Sequence, residues 1–190
     1  MVDEIAEFFR VRHSLLADIL RDRAFLESVS VLARETVKVL KQGGKVLFCG
    51  NGGSFADCLH ICAELTGRYM REGRKPLPGI VLGANYSSLT AISNDYSYEE
   101  VFVRELKGIA CSGDMLWGLS TSGKSRNVLL AMEEGRRRNL VCVGLSRAAD
   151  TPLKNLSDIY VGVPSESTPL IQEIHKMVGH IVCEYIDREF

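Results

Sequence analysis

The chain has no apolar run of the roughly 20 residues that a bilayer-spanning helix requires, so no membrane segment is expected. It has no excess of either charge. With 23 basic residues against 24 acidic ones, bulk electrostatics favour neither nucleic acid nor an anionic membrane. No cysteine pair is spaced CxxC. Cys49, Cys58, Cys62, Cys111, Cys142 and Cys183 are scattered and read as reduced, buried small apolar residues rather than disulfides or a zinc knuckle. Cys58 and Cys62 lie at i, i+4 on an apolar helix face, which puts a core role ahead of a metal-binding one. The N-terminus is amphipathic and carries Asp3, Glu4 and Glu7, unlike a secretory leader, so the expected compartment is the cytoplasm. Internal repeats and low-complexity tracts are missing too, and 190 residues suit one domain with a sizeable core.

What is present is concentrated in residues 45 to 69. Val46 to Cys49 is an apolar run that reads as a buried strand. Gly50-Asn51-Gly52-Gly53 follows, a turn open to small or left-handed-tolerant residues. Ser54 is a candidate N-cap for a helix over Phe55 to Leu65. Strand, glycine loop and helix N-terminus together hold anions, because backbone N–H groups and the helix dipole point at the ligand. On that helix Phe55, Cys58, Leu59 and Cys62 share an apolar side. His60 and Glu64 stand four apart on another side, with Arg68 continuing the line if the helix persists. A His and a carboxylate at this spacing can share a metal ion or a proton. Alone the pair reads as an ordinary solvated face; the phosphate loop one turn upstream shifts the balance toward chemistry.

Residues 2 to 24 and Ala24 to Lys41 carry helical apolar spacing, the second closed by Gln42-Gly43-Gly44. Two helices before the first strand belong to no βαβ unit; they cap the sheet or pack on another subunit. Further strands are expected at Pro78–Leu82, Met115–Leu119, Leu140–Leu145 and Ile159–Val163. Helices are expected from Ser87 or Ser88 to Ile92, then over Tyr98–Ala110 with Ile109 inward, Asn127–Arg138 and from Pro169 or Leu170 to Arg188. Ser93–Tyr96 reads as a turn and Thr151–Leu156 as a single helical turn. Alternating apolar strands and helices give an α/β fold with a five-stranded parallel sheet covered on both faces and ligands at the strands' carboxyl ends.

Gly118 to Ser125 satisfies the nucleotide P-loop pattern GxxxxGK[ST], but no later strand ends in an Asp to hold magnesium. The hydroxyls of Ser120, Thr121, Ser122 and Ser125 at a helix start are the better clue, and point to a phosphate without a nucleotide. The last helix carries the apolar stripe Ile171, Ile174, Val178, Ile181 and Tyr185, with His175 at its border as a structural histidine. Gln172 and His180 lie off the stripe, about 12 Å apart along the axis.

Taken together, Gly50-Asn-Gly-Gly-Ser54, His60-x-x-x-Glu64-Leu-Thr-Gly-Arg-Tyr69, Asn94-Asp95, Ser120-Thr-Ser-Gly-x-Ser125 and Gln172-Glu-x-His-x-x-x-x-His180 resemble the phosphoheptose isomerase family of the sugar-isomerase (SIS) domain superfamily. The resemblance spans the chain. It implies a single SIS domain over 1–190 with a flavodoxin-like sheet, residues 1–43 forming the leading helices and 44–190 the α/β core. It further implies a cytoplasmic homotetramer that converts sedoheptulose 7-phosphate to D-glycero-D-manno-heptose 7-phosphate, the first step toward the heptose of bacterial surface polysaccharides. By the same resemblance Asn51, Gly52, Gly53, Asn94 and Asp95 contact substrate, and Ser120, Thr121, Ser122 and Ser125 hold its phosphate. His60, Glu64, Gln172 and His180 are the implied metal set for one zinc per subunit. Glu64 and His180 are the implied acid–base pair, Glu64 and Gln172 also touching substrate. The family often has Arg before Ile-Gln-Glu, where this chain has Leu170, so substrate preference is expected to respond to that position.

The chemistry suits these residue types. Aldose–ketose isomerisation moves a proton between adjacent carbons through an enediol, which needs a base, an acid and stabilisation of developing negative charge. A related branch of the superfamily regulates by binding the replication initiator, and a sugar-phosphate-binding regulator would need only the two loops. The presence of Glu64 and His180 favours the enzyme.

Overall fold

The structure is a computed structural model that describes residues 1–190. Two helices lead, α1 (Val2–Arg21) and α2 (Arg23–Lys41). The chain then alternates through β1 (Val46–Gly50), α3 (Gly53–Thr66), β2 (Gly79–Val81), α4 (Tyr86–Asp95), a 3₁₀ turn (Tyr98–Glu100), α5 (Val101–Ile109) and β3 (Met115–Leu119). It continues through α6 (Arg126–Arg137), β4 (Val141–Arg147), α7 (Pro152–Asn155), β5 (Ile159–Val163) and α8 (Thr168–Glu189). All neighbouring strands pair in parallel, in the order β2-β1-β3-β4-β5. This is the flavodoxin-like order, and its switch point lies between β1 and β3.

The burial of each strand explains its apolar sequence. β1 and β3 are buried along their whole length, and successive side chains enter opposite layers. Val46, Phe48, Met115, Trp117, Val143 and Val161 pack with α1, α2, α3 and α8. Leu47, Cys49, Leu116 and Cys142 pack with α5, α6 and α7. Phe48 and Trp117 meet edge to face at 5.4 Å. The leading helices therefore share the core of one sheet face: Leu15 and Ile19 of α1 and Leu32 and Ala33 of α2 belong to it.

Several boundaries differ from the sequence expectation, each for a local reason. α1 stops at Arg21 because Asp22 caps α2, its side chain accepting from Phe25 N–H at 3.0 Å. Asn85, bonded to Ser87 and Ser88 N–H, starts α4 early, and the helix runs through the expected turn to Asp95. The expected Tyr98–Ala110 helix opens as a 3₁₀ turn. β4 continues two residues past Leu145 to Arg147 through its pairing with β5. α8 begins at Thr168. Ile109, expected inward, is 37 % exposed at the end of α5.

Candidate active site

The parallel register sets Gly50 beside Leu119, so the loops that follow β1 and β3 leave the same edge of the sheet at the switch point. The first loop is tight. A Cβ on Gly50 would stand 3.1 Å from Ser54 and 3.2 Å from the Leu119 carbonyl oxygen. Gly52 has φ 56° and ψ −121°, a conformation reserved in practice for glycine. The N-cap of α3 is Gly52 rather than the expected Ser54, which lies inside the first turn, buried at the edge of the core. No side chain caps α3; the Ser54 and Phe55 N–H groups donate to the Asn51 carbonyl, and the Gly53 N–H at the head of the helix has no such backbone partner.

The second loop gathers hydroxyls. Ser120 Oγ stands 2.9 Å from Ser125 Oγ and 3.4 Å from Ser122 Oγ, and Ser122 Oγ accepts from Lys124 N–H. Ser125 is the N-cap of α6 and its side chain makes no cap bond; Val128 N–H donates to Asn127 Oδ1, which leaves the Arg126 and Asn127 N–H groups at the helix start to donate. Thr121 is tied to the next strand: its carbonyl accepts from the Ser146 hydroxyl at 3.3 Å. Two helix starts thus lie on one side of the sheet, in the strand–loop–helix arrangement suited to an anion.

Asn51 joins the loops through a residue that the sequence pattern did not single out. It exchanges two amide hydrogen bonds of 2.9 Å with Asn127 of α6, and its Oδ1 also accepts from Tyr98 at 2.8 Å. Asn127 had been legible only as a helix start, since its partner is 76 residues away.

His60, Glu64 and His180 converge. Their ligand atoms all lie within 4.8 Å of one another, His60 Nε2 stands 2.8 Å from His180 Nε2, and it is 3.5 Å from Glu64 Oε1. The approach of α3 to α8 depends on Gly179, where a Cβ would stand 2.4 Å from Ile61 Cδ1. Tyr69 lies over His180, ring centroids 5.5 Å apart. Two imidazole nitrogens and a carboxylate this close together could hold a metal ion.

The remaining candidates fall elsewhere. Gln172 lies at the glycine loop, its amide donating to Ser54 Oγ at 3.4 Å and packing on Gly53. A separation of eight positions puts Gln172 and His180 about 12 Å apart along α8. Asn94 and Asp95 bond to each other at 2.9 Å at the end of α4. Arg68 does not extend the His60–Glu64 line, because α3 ends at Thr66, and it pairs loosely with Glu72 at the surface. His175 is the buried structural histidine that its position implied; burial lowers it to about 4, partly offset by the Ser146 carbonyl.

The family model described as "SIS domain" matches residues 7–146. A phosphoheptose isomerase of Akkermansia muciniphila is 44 % identical over 97 % of this chain and 92 % of its own length. One from Nitratiruptor sp. is 50 % identical over 81 % of this chain and 82 % of its own. The solved structure of a phosphoheptose isomerase from Francisella tularensis superposes with a TM-score of 0.92 at 30 % identity, covering 98 % of each chain. This chain belongs to the SIS-domain family and, within it, to the phosphoheptose isomerases.

Proposed function

We propose that this chain isomerises sedoheptulose 7-phosphate to D-glycero-D-manno-heptose 7-phosphate. The observation that carries the reading is the convergence of Glu64, His60 and His180 within 4.8 Å. Two loops suited to a phosphate open on the carboxyl edge of the same sheet. The phosphate is held by Ser120, Thr121, Ser122 and Ser125 with the N-terminus of α6. Asn51, Gly52 and Gly53 orient the sugar, with Asn94, Asp95 and Gln172 completing the contacts. Anchoring the far end of the substrate in this way turns proton transfer into an intramolecular event. Glu64 removes a proton from C1 and returns it to C2. His180 gives a proton to the C2 oxygen and takes one from the C1 oxygen, so atoms and charges balance through an enediol.

The His60–Glu64–His180 set would hold zinc, with the metal-binding and proton-transfer roles of Glu64 and His180 alternating, and the ion when bound would polarise the carbonyl and lower the cost of the enediol's negative charge. Gln172 joins the ion as a fourth ligand only if a neighbouring protomer supplies it or α8 rearranges. The working form is a homotetramer in the cytoplasm with one zinc per protomer, each protomer one SIS domain over 1–190. Support for assembly comes from the outer face of α1, where Phe8, Phe9 and Leu20 are 63 %, 67 % and 72 % exposed.

The test is to incubate zinc-loaded protein with sedoheptulose 7-phosphate and follow the sugar by NMR beside a chelated sample. Aldose signals that vanish on chelation support both isomerisation and its metal dependence. Glu64→Ala should abolish turnover while calorimetry still finds the sugar phosphate bound; full turnover in that variant would overturn the mechanism.

A further inference from the structure

Arg74 lies outside every motif so far discussed, in the loop between α3 and β2, and is nevertheless 6 % exposed. Both of its terminal nitrogens donate to backbone carbonyls. Nη1 donates to the carbonyls of Leu65 (3.1 Å) and Lys75 (2.9 Å), and Nη2 to those of Glu64 and Gly67 (3.4 Å). Nε stands 2.8 Å from Asp187 Oδ1, an ion pair by distance though not aligned as a hydrogen bond. Asp187 sits in the last turn of α8, and its Oδ2 accepts from the backbone N–H groups of Met70 (2.7 Å) and Arg71 (2.8 Å). Arg71 returns a bond to the Asp187 carbonyl at 3.2 Å. Burial by itself would raise the Asp187 carboxyl, but the Arg71 and Met70 N–H groups and the Arg74 charge outweigh it and hold the group below its ordinary value.

The placement of these bonds is specific. The last carbonyls of a helix have no partner within it, and a cation there meets the negative end of the dipole. Arg74 supplies that cap to α3, and one of the carbonyls it holds belongs to Glu64 itself. Asp187 follows His180 by seven residues, which puts both on nearly the same side of α8, about 10 Å apart along its axis. Between the two anchors runs the segment Gly67–Arg71, which carries Tyr69 onto the His180 ring.

We infer that Arg74 and Asp187 are positioning residues for the His60–Glu64–His180 cluster. Together they set the register of the last turn of α3 against α8 and hold Tyr69 on His180. This rests on the isomerase reading for its catalytic consequence, and on geometry alone for its effect on the cluster. Lysine at position 74 keeps the charge but offers three donors where the planar fork offers five, so Arg74→Lys isolates the geometry from the charge.

The experiment compares wild type, Arg74→Lys, Asp187→Asn and Tyr69→Leu by three readouts. The first is the imidazole resonances of the metal-free protein. The second is zinc affinity by competition with a chromogenic chelator, and the third is kcat and KM with sedoheptulose 7-phosphate. In folded Arg74→Lys, the His180 signal should move toward its position in Tyr69→Leu while those of His13 and His175 stay. Zinc affinity should fall about tenfold or more, as for other groups that orient metal ligands. The activity loss should lie in kcat, with KM little changed, because the phosphate loops are untouched. A folded Arg74→Lys with wild-type His180 signal and zinc affinity overturns the inference. If Arg74→Lys does not fold, Asp187→Asn decides by the same criteria. If neither folds, the pair is a stability element and the inference is wrong. A wild type that holds zinc and shows the Tyr69-shifted His180 signal but turns over no sugar refutes the isomerase reading instead, leaving the positioning role to the first two readouts.

Discussion

Each residue of the convergent cluster is unremarkable on its own helix. His60 and Glu64 form an i, i+4 pair of the kind that decorates solvated helices, and His180 is a partly exposed histidine on α8. What gives them a joint role is the absence of a side chain at Gly179, because only hydrogen there lets Ile61 seat against α8. Gly179→Ala should therefore cost about 1–3 kcal/mol by overpacking. It should also weaken zinc binding; urea unfolding and chelator competition measure the two effects. His175 makes a different prediction. Its folded value of about 4 lies below the ordinary 6.5, so the unfolded chain takes up a proton first as pH falls. Its contribution to stability is complete above 6.5 and is lost toward 4, at a slope of up to roughly 1.4 kcal/mol per pH unit. Urea midpoints at pH 8, 6 and 5 should show that decline, and His175→Leu should flatten it. His175 was legible as structural from its place at the border of the apolar stripe, whereas Gly179 was not, because a glycine inside a helix declares its packing only when the neighbouring helix is in place.

At the scale of elements, the strand, loop and helix order was legible because apolar strands, glycine turns and helical periodicity are local properties. The misassigned faces are equally instructive. Leu59 shares an apolar sector with Cys58 and Cys62 yet is 41 % exposed, since the stripe that meets the sheet and α8 runs Ser54, Cys58, Ile61 and Leu65. Tyr185 belongs to the apolar stripe read on the last helix but borders an open groove, with Val182, Cys183 and Ile186 inward instead. Periodicity reports a helix and its apolar sector, not which part of that sector the neighbours cover. The two loops carry predictions of their own. Gly52→Ala should cost about 1–3 kcal/mol through its φ of 56°. Ser120→Ala removes a hydroxyl from the cluster and should weaken sugar-phosphate binding by about 1 kcal/mol. Thermal unfolding reads the first, and calorimetry with sedoheptulose 7-phosphate the second.

For the whole molecule, α1, α2 and α8 leave an apolar groove of about 340 Å³, lined by Leu16, Leu20, Leu26, Met177, Ile181 and Tyr185. If the proposed tetramer covers this face, Leu20→Glu should shift the sedimentation coefficient toward smaller species without unfolding the protomer. An unchanged tetramer would place the interface elsewhere.

The sequence by itself determined the parallel α/β architecture, the two leading helices, the two phosphate-suited loops and the residue types of the site. All of these follow from short-range patterning of apolar, glycine and hydroxyl residues, and the likeness to a family covered the rest of the motif set. The likeness had put His60, His180 and Gln172 in one set; only the tertiary structure decided that His180 meets His60 across 120 residues of chain while Gln172, on the same helix, meets the glycine loop instead. It also decided that Asn127 braces Asn51 and that Arg74 and Asp187 tie α3 to α8. The reason is physical: local pattern selects the elements, but which side chains meet depends on the approach of one helix to another, and that is settled by long-range packing.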